Sequence, residues 1–544
     1  MEDNQNLTAT PADEQTLPNT GDKSKMSKWE IIAYSGGEIY GGGYAALLGV
    51  VLTFFLTNLI LVGIKNAELY AAIIIVVSKV WDAISDPLMG VISDNTRSRL
   101  GRRRPWIIIG GALVPVAFAI MFLPWAKGIE NQGLRIAYAC FAYFLLCTVN
   151  TISQVPFMSL SAEISTDYKE RNKANSVKLI FSILASGLFY LIPAAATEAY
   201  SAYISHEESM FGKINETGFF LIVAVLCGVI FGVATCLTGI FTKERTPYDK
   251  NVKSTFSFKS YAVPLKNKSY RYHLLMYLMA FGCYDFISAL VLYYVTAVVP
   301  QITIFGMTMS SLFIVAPMMV MAAVTYPINM KLKSTKGKQF AYRWGLPFYI
   351  LGAIGLAVFP NTTNTNISWL LLICSCIMGI GFGGAQMMPW MIFPDTQDVA
   401  ELKTGVKDTG CYSGLMTFAR KIGTALAQSI VLVVLACVGY SAYNAEIINN
   451  KALIAEAAEK GEEIDTSGML LAFPAKVTVA IRIMFAIAVL VMISIGIWAS
   501  VKYKVTDKKL ARIKYFLEKQ RAGENDTLTE EEKAEKQALL EELG

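Results

Sequence analysis

Twelve stretches of predominantly apolar residues recur along the chain, each near the length of about 20 residues that a helix needs to cross a bilayer. They lie near 31–58, 68–92, 105–125, 135–158, 176–198, 217–242, 270–299, 303–330, 343–360, 368–394, 409–440 and 476–503. The polar segments between them alternate in charge. Those around 97–104, 169–178, 243–271, 331–343 and 403–407 are rich in Lys and Arg, whereas the intervening ones carry little more than Lys65, Lys127, Lys213, Lys451 and Lys460. The positive-inside rule places the basic segments and both termini in the cytoplasm, which requires an even number of spans. The pattern therefore predicts an all-α membrane protein of twelve transmembrane helices.

The long basic segment in the middle divides the spans six and six. The expected units are a polar cytoplasmic N-terminal segment (1–30), a first six-helix bundle (31–242), a central cytoplasmic loop (243–269), a second six-helix bundle (270–503) and a cytoplasmic tail (504–544). The two blocks read as repeats. After span 4 come Asp167, Glu170, Arg171, Lys173 and Lys178; after span 10 come Asp395, Asp398, Glu401, Lys403 and Lys407. Acid-then-base order at corresponding places fits two halves related by an axis along the membrane normal. Asp94, Arg102, Asp167, Arg171, Asp395 and Glu401 are then expected to form a cytoplasmic gate. The acidic, alanine-rich stretch 441–474 predicts a short surface helix. The tail opens with Lys504, Lys508, Lys509, Arg512 and Lys514, suited to an anionic inner leaflet. It ends in a helix where Thr529 and Glu532 have capping-box spacing. It is expected to be a solvated appendage.

Composition agrees with a polytopic membrane protein: 54% of the 544 residues are hydrophobic, 17% are charged and the mean hydropathy is +0.45. The net charge of +6 is spread over several loops, so it reports topology rather than nucleic-acid binding. All nine cysteines fall in apolar stretches without metal-ligand spacing, which marks them as small core residues and not a disulfide framework. Residues 1–28 precede any apolar run and show no cleavable leader, so the first span is expected to serve as the insertion signal. No phosphate-binding glycine loop, Ser/His/Asp set or zinc-ligand spacing is present, which argues against an ATP-driven pump or an enzyme.

Charge inside the spans singles out span 2. Lys79, Asp82 and Asp86 stand at i, i+3 and i+7, so one helix face carries all three. Each costs roughly 2.5–3.5 kcal/mol at a bilayer centre, so that face must look onto water, an ion or partner side chains. Two carboxylates one turn apart suit a sodium ion, or one of them can carry a proton. The alternative is an ion-pair network that only pins helices; the trio's net negative charge leaves room for a cation. Lys421, inside span 11 beside Arg420, needs an acid nearby, and Asp82 or Asp86 is the expected partner; the alternative is that Arg420 and Lys421 snorkel to the surface. Glu38 sits among glycines in span 1. Asn150, Thr151 and Gln154 form a polar patch in span 4, suited to neutral polyols or to interhelical hydrogen bonds. Asp285 in span 7 is a further cavity candidate. Trp390 and Tyr412 could stack on a sugar ring, with ordinary aromatic packing as the alternative. His206 and His273 have no neighbours at metal or catalytic spacing.

Three segments resemble one family. WDAISDPLMGVISDNTRSRLGRRRPW (81–106), QVPFMSLSAEISTDYKERNKANSVK (154–178) and PDTQDVAELKTGVKDTGCYSGLMTFARKIGTALA (394–427) are similar, in order, to motifs of the glycoside-pentoside-hexuronide:cation symporters, the melibiose permease relatives within the major facilitator superfamily. The resemblance covers roughly residues 30–505. It implies that Asp82 and Asp86 match the two cation-site acids, that Lys79 matches the basic residue before them, and that Lys421 matches the lysine of span 11. Thr417 falls at a substrate-facing position, Lys178 at a basic residue that helps bind sugar hydroxyls, and Glu38 where many members carry an acid. There are departures. Gly41 and Gly42 stand in place of a Lys-Asp pair, Gln154 in place of an acid and Met158 in place of a tryptophan. The galactoside-binding set is thus largely missing, and loss of the span 4 acid tilts the cation weakly toward protons.

These observations predict a non-enzymatic secondary active transporter in the cell membrane, expected to act as a monomer without a cofactor. Its partners would be a sugar (glycoside, pentoside or hexuronide) and a coupling proton or sodium ion, with the lipid bilayer around it. Cation binding is expected at Asp82 and Asp86, charge pairing through Lys79 and Lys421, and substrate contacts from Glu38, Asn150, Thr151, Gln154, Lys178, Asp285, Trp390 and Thr417. A carrier of a non-sugar amphipathic metabolite and a non-transporting sensor built on the central loop and tail are the rival readings.

Overall fold

The computed structural model describes residues 25–122, 128–165, 168–205, 216–245, 263–299, 303–304, 307–308, 312–358, 365–405, 409–460, 465–466, 468–521, 524 and 528–544. The N-terminal half consists of α1 (Lys28–Phe55), α2 (Ala67–Asn95), α3 (Arg104–Met121), α4 (Gln132–Glu163), α5 (Tyr168–Ser205) and α6 (Glu216–Phe241). A π turn, Leu56–Ile60, extends α1. The C-terminal half begins with α7 (Lys268–Ala297), followed by a hairpin of two strands, β1 (Thr303–Ile304) and β2 (Met307–Thr308). Then come α8 (Leu312–Lys336), the short α9 (Lys338–Arg343), α10 (Leu346–Val358), α11 (Thr365–Thr404) and α12 (Thr409–Val438). The chain continues through α13 (Tyr440–Lys460), α14 (Ala475–Lys502), α15 (Asp507–Arg521) and α16 (Glu530–Leu543).

Among the described residues, eleven spans are long and apolar enough to cross a membrane; α9 and α10 together form one of them. The twelfth is α2. At 29 residues it has the length, and Lys79, Asp82 and Asp86 are what lower its apolarity. Expected and observed spans agree at most ends. Three depart: span 5, expected over 176–198, runs over Tyr168–Ser205; span 10, expected to end at 394, runs on to Thr404; and span 8, expected from 303, starts at Leu312, after the β1–β2 pairing of Thr303 with Thr308.

Small residues set the packing inside the first half, where α1 lies closely along α5. A Cβ at Gly42 would stand 2.7 Å from the Ser182 carbonyl oxygen, so only glycine allows this approach. The halves meet through α1 with α7, α2 with α12 and α5 with α8. Besides the ion pairs of Lys421 with Asp82 and Asp86, polar contacts between them include Thr53 to the Ala289 carbonyl, Thr57 to Tyr293, Ser288 to Tyr190, Asn58 to Asn444 and Glu68 to Ser441. They lie toward the face opposite the chain ends, where α13 follows α12 across the seam. α13 is the surface helix expected within 441–474, at 21 residues.

The basic loops and both ends of the described chain share the other face, the basic face below. The tail there is not a solvated appendage. Leu510, Ile513, Phe516 and Leu517 of α15 and Leu539 and Leu543 of α16 are buried against the bundle. Arg521 forks onto Glu401 of α11 at 2.7 Å, and Ser269 of α7 donates to the Leu543 carbonyl at 2.6 Å. An amphipathic helix with an apolar face gains by covering that face, which outweighs the polar composition that led to the solvated expectation. The expected capping box is present: the Thr529 side chain accepts from the Glu532 amide, and Glu532 accepts from the Thr529 amide.

Candidate functional site

Asp82 lies near the middle of α2 and is fully buried. Helical spacing brings Lys79 back onto it, with Nζ 3.1 Å from Oδ2. From the other half, Lys421 of α12 reaches both acids, 2.5 Å from Asp86 and 3.6 Å from Asp82. Thr151 of α4 donates to Asp86 Oδ1 at 2.8 Å, and Ser85 stands 3.4 Å from Thr151. Lys79 also lies over the Tyr143 ring. The Oδ1 atom of Asp82 is buried and accepts no hydrogen bond. A buried carboxylate oxygen without a donor is costly, by about 1–3 kcal/mol or more.

The trio's net negative charge, expected from the sequence, is offset from the other half. With Lys421 included, two ammonium groups face two carboxylates, and the assembly is neutral. Desolvating an isolated charge costs several kcal/mol, so a mid-bilayer acid pair recruits a counter-charge from the opposing half. No group of three His, Cys, Asp or Glu side chains suited to a bound metal occurs among the described residues.

A second cluster joins α1, α4 and α5. Glu38 and Lys178 form a buried pair at 3.2 Å, and Lys178 lies over the Phe157 ring at 4.4 Å. Gly41 is one reason they meet: a Cβ there would stand 2.8 Å from Glu38 and 3.1 Å from Gln154. Both amide atoms of Gln154 are buried without hydrogen-bond partners. Met158, 53% exposed, lies 3.5 Å from the Lys178 ammonium. Asn150, one turn before Gln154, is half-buried.

In the second half, Asp285 of α7 is buried and held by a two-pronged contact from Arg420 of α12, whose Nη2 lies 2.7 Å from Oδ1. Arg420 also bonds Thr424 and stacks over Phe281 at 5.1 Å. It does not snorkel. Tyr190 and Tyr284 face each other across the halves, 5.6 Å between ring centres.

Trp390 borders this cluster through Phe281, and the other candidates stand apart. Trp390 is 53% exposed and meets the Tyr277 and Phe281 rings edge-on. Thr417 is exposed. Tyr412 is buried, its carbonyl accepting from the Tyr270 hydroxyl at 2.7 Å. His273 is buried against the Pro389 carbonyl, and all nine cysteines are free. His206 lies outside the described residues.

The expected gate resolves into contacts within each half. Arg102 pairs with Glu163 at 2.6 Å and with Asp94 at 3.6 Å, and Arg103 joins the same two acids. Glu244 accepts from the amides of Arg102, Arg103 and Arg104, as an acid at a helix N-terminus should. Asp395 pairs with Lys338 at 2.6 Å, while Glu401 is taken by the tail's Arg521. Arg171 is half-buried, and Asp167 lies outside the described residues. Arg103, Glu163, Glu244, Lys338 and Arg521 were missed by sequence reasoning because their partners are distant in the chain. Arg420 was noticed, but only its contact with Asp285 gives it a role.

The sequence profile described as "MFS/sugar transport protein" matches residues 33–507. The chain is 26% identical to the "Putative glycoside/cation symporter YagG" of Escherichia coli (strain K12), covering 83% of this chain and 87% of that one. It is 22% identical to the "Sodium-dependent lysophosphatidylcholine symporter 1-B" of Danio rerio, covering 95% of each. The solved structure of the nucleoside transporter NupG superposes with a TM-score of 0.50 over 88% of this chain and all of that one, at 10% identity, a likeness of fold alone.

Proposed function

This chain belongs to the MFS/sugar transport protein family, a secondary active, cation-coupled symporter of major facilitator fold, and we propose that it carries a sugar together with a proton or sodium ion bound at Asp82 and Asp86. The observation that carries this reading is the mid-bilayer cluster in which Lys421 bridges both acids from the opposing half while Asp82 Oδ1 has no donor. A cation entering there takes over the acids' charge and frees Lys421, so ion binding acts directly on the contact between halves. Coupling then follows, because the ion has different affinities for the paired and unpaired arrangements. A membrane potential adds about 2.3 kcal/mol per charge per 100 mV to entry.

Substrate contacts fall to Glu38, Lys178 and Gln154, with Asn150 nearby and Asp285 and Arg420 on the facing half. The unpartnered Gln154 amide offers both donor and acceptor, which suits sugar hydroxyls. By the positive-inside rule the basic face is the cytoplasmic one, which makes Asn58, Glu68 and α13 the outer closure. A second reading, an amphipathic metabolite with an apolar part, is favoured by Met158 standing exposed beside the Lys178 ammonium. Uptake into proteoliposomes tests both. Glycosides, pentosides, uronides and a lysophospholipid are offered under sodium or pH gradients. Concentrative sugar uptake that Asp82→Asn and Asp86→Asn abolish supports the proposal; wild-type accumulation in either variant removes these acids from the mechanism.

A further inference from the structure

At the basic face, the first turn of α7 and the last turn of α14 enclose a cavity of about 210 Å³ with the end of α16. Lys268, Tyr272, Lys502, Lys504 and Glu542 line it. Three ammonium groups thus face one carboxylate, and that carboxylate is shared: Glu542 pairs with Lys504 at 3.2 Å and with Lys509 at 2.5 Å. Lys268 and Lys502 make no ion pair among the described residues. The cavity therefore holds excess positive charge. Its depth is marked by Tyr272, which meets Trp498 edge-on at 6.0 Å, while Trp498 is itself 52% exposed. An exposed tryptophan one turn before a helix's terminal lysine is the pattern of a membrane interface.

We propose that this cavity binds the phosphate of an anionic phospholipid headgroup, from the leaflet on the basic side, and that the bound lipid holds the tail hairpin against the bundle. Lys268 and Lys502 contact the phosphate, while Trp498 lies beside the acyl chains. Basic pockets between helix ends suit such headgroups, and free phosphate shares the same chemistry. The tail takes part because α16 supplies one wall: Glu542 belongs to it, and its Leu543 carbonyl is fixed by Ser269. The proposal does not depend on the transported substrate.

The test uses the purified full-length protein in detergent, titrated with short-chain phosphatidylglycerol, phosphatidylcholine or inorganic phosphate. Thermal unfolding and hydrogen exchange in α16 are read. Phosphatidylglycerol should raise the unfolding temperature and slow exchange in α16, with phosphatidylcholine and phosphate far weaker. Lys268→Gln/Lys502→Gln, both at exposed positions, should weaken the effect at least tenfold, while Lys508→Gln/Lys514→Gln, exposed and outside the cavity, leaves it intact. Equal responses of the two double variants would overturn the site. A full response to phosphate alone, or to phosphatidylcholine, would overturn its assignment to an anionic lipid.

Discussion

Lys421 of α12 stands 2.5 Å from Asp86 of α2, and this ion pair ties the two halves together at mid-bilayer. The same ammonium lies 3.6 Å from Asp82. On the proposed reading, lysine and cation compete for these acids, and that competition decides whether the halves stay tied.

Lys421→Gln should separate binding from transport. It removes the competitor, so sodium or protons bind the acids at least as well as before. It also leaves Asp86 without its ammonium partner, while Asp82 keeps Lys79, at a cost on the order of 3–5 kcal/mol without the ion. The unfolding temperature of the variant should become strongly cation-dependent, while concentrative uptake falls to background. Cation-independent unfolding in Lys421→Gln would contradict the competition.

Glu38 and Lys178 should behave as a coupled pair. Glu38→Gln or Lys178→Met alone leaves one buried charge unbalanced, whereas the double variant removes both. Thermal stability should drop in each single variant and partly return in the double. Uptake should stay low in all three, since the substrate loses its polar contacts either way.

The seal on the face away from the chain ends rests partly on Glu68, whose carboxylate accepts the Ser441 amide at 2.6 Å and the Ser441 hydroxyl at 2.8 Å. Hydrogen bonds to a charged group contribute about 1.5–3 kcal/mol each. Glu68→Ala should shift the population toward a state open on that face, roughly tenfold or more at about 1.4 kcal/mol per decade. A cysteine placed at Val298, buried and lining the cavity beside α13, should then label faster in a background without native cysteines. Unchanged labelling would show that this contact does not hold the seal.

Gly42→Val tests the α1–α5 contact. The new side chain meets the Ser182 backbone carbonyl, which cannot rotate away as a side chain could. Overpacking of this kind costs about 1–3 kcal/mol, and the yield of folded protein should fall. Ser182→Gly would not rescue it, because the obstruction is main chain.

The tail's ion pairs set a pH limit. Arg512 bonded to Glu535 and Lys509 bonded to Glu542 hold both carboxyl groups below their ordinary range. Their contribution is complete above the ordinary value of about 4.3 and fades as pH falls below it, through the lowered folded values. Hydrogen exchange in α16 should therefore be insensitive to these groups between about pH 5 and 8 and accelerate only in stronger acid. Release near pH 6 would mean that other groups govern docking.

The periodicity of apolar segments and the alternation of basic loops were enough for an all-α protein of twelve spans in two blocks, because backbone satisfaction in lipid leaves helices as nearly the only solution for such segments. Spacing along one helix was also enough to put Lys79, Asp82 and Asp86 on one face. Pairings across the fold were another matter. Which acid Lys421 meets, that Arg420 turns to Asp285 rather than to the surface, that Arg102 closes on Glu163 and that Arg521 of the tail takes Glu401 all depend on helices brought together from distant parts of the chain. Sequence alone fixes the cost of burying each charge; the tertiary packing selects the partner that offsets it, because an ion pair acts over a few ångströms and no local pattern encodes that distance.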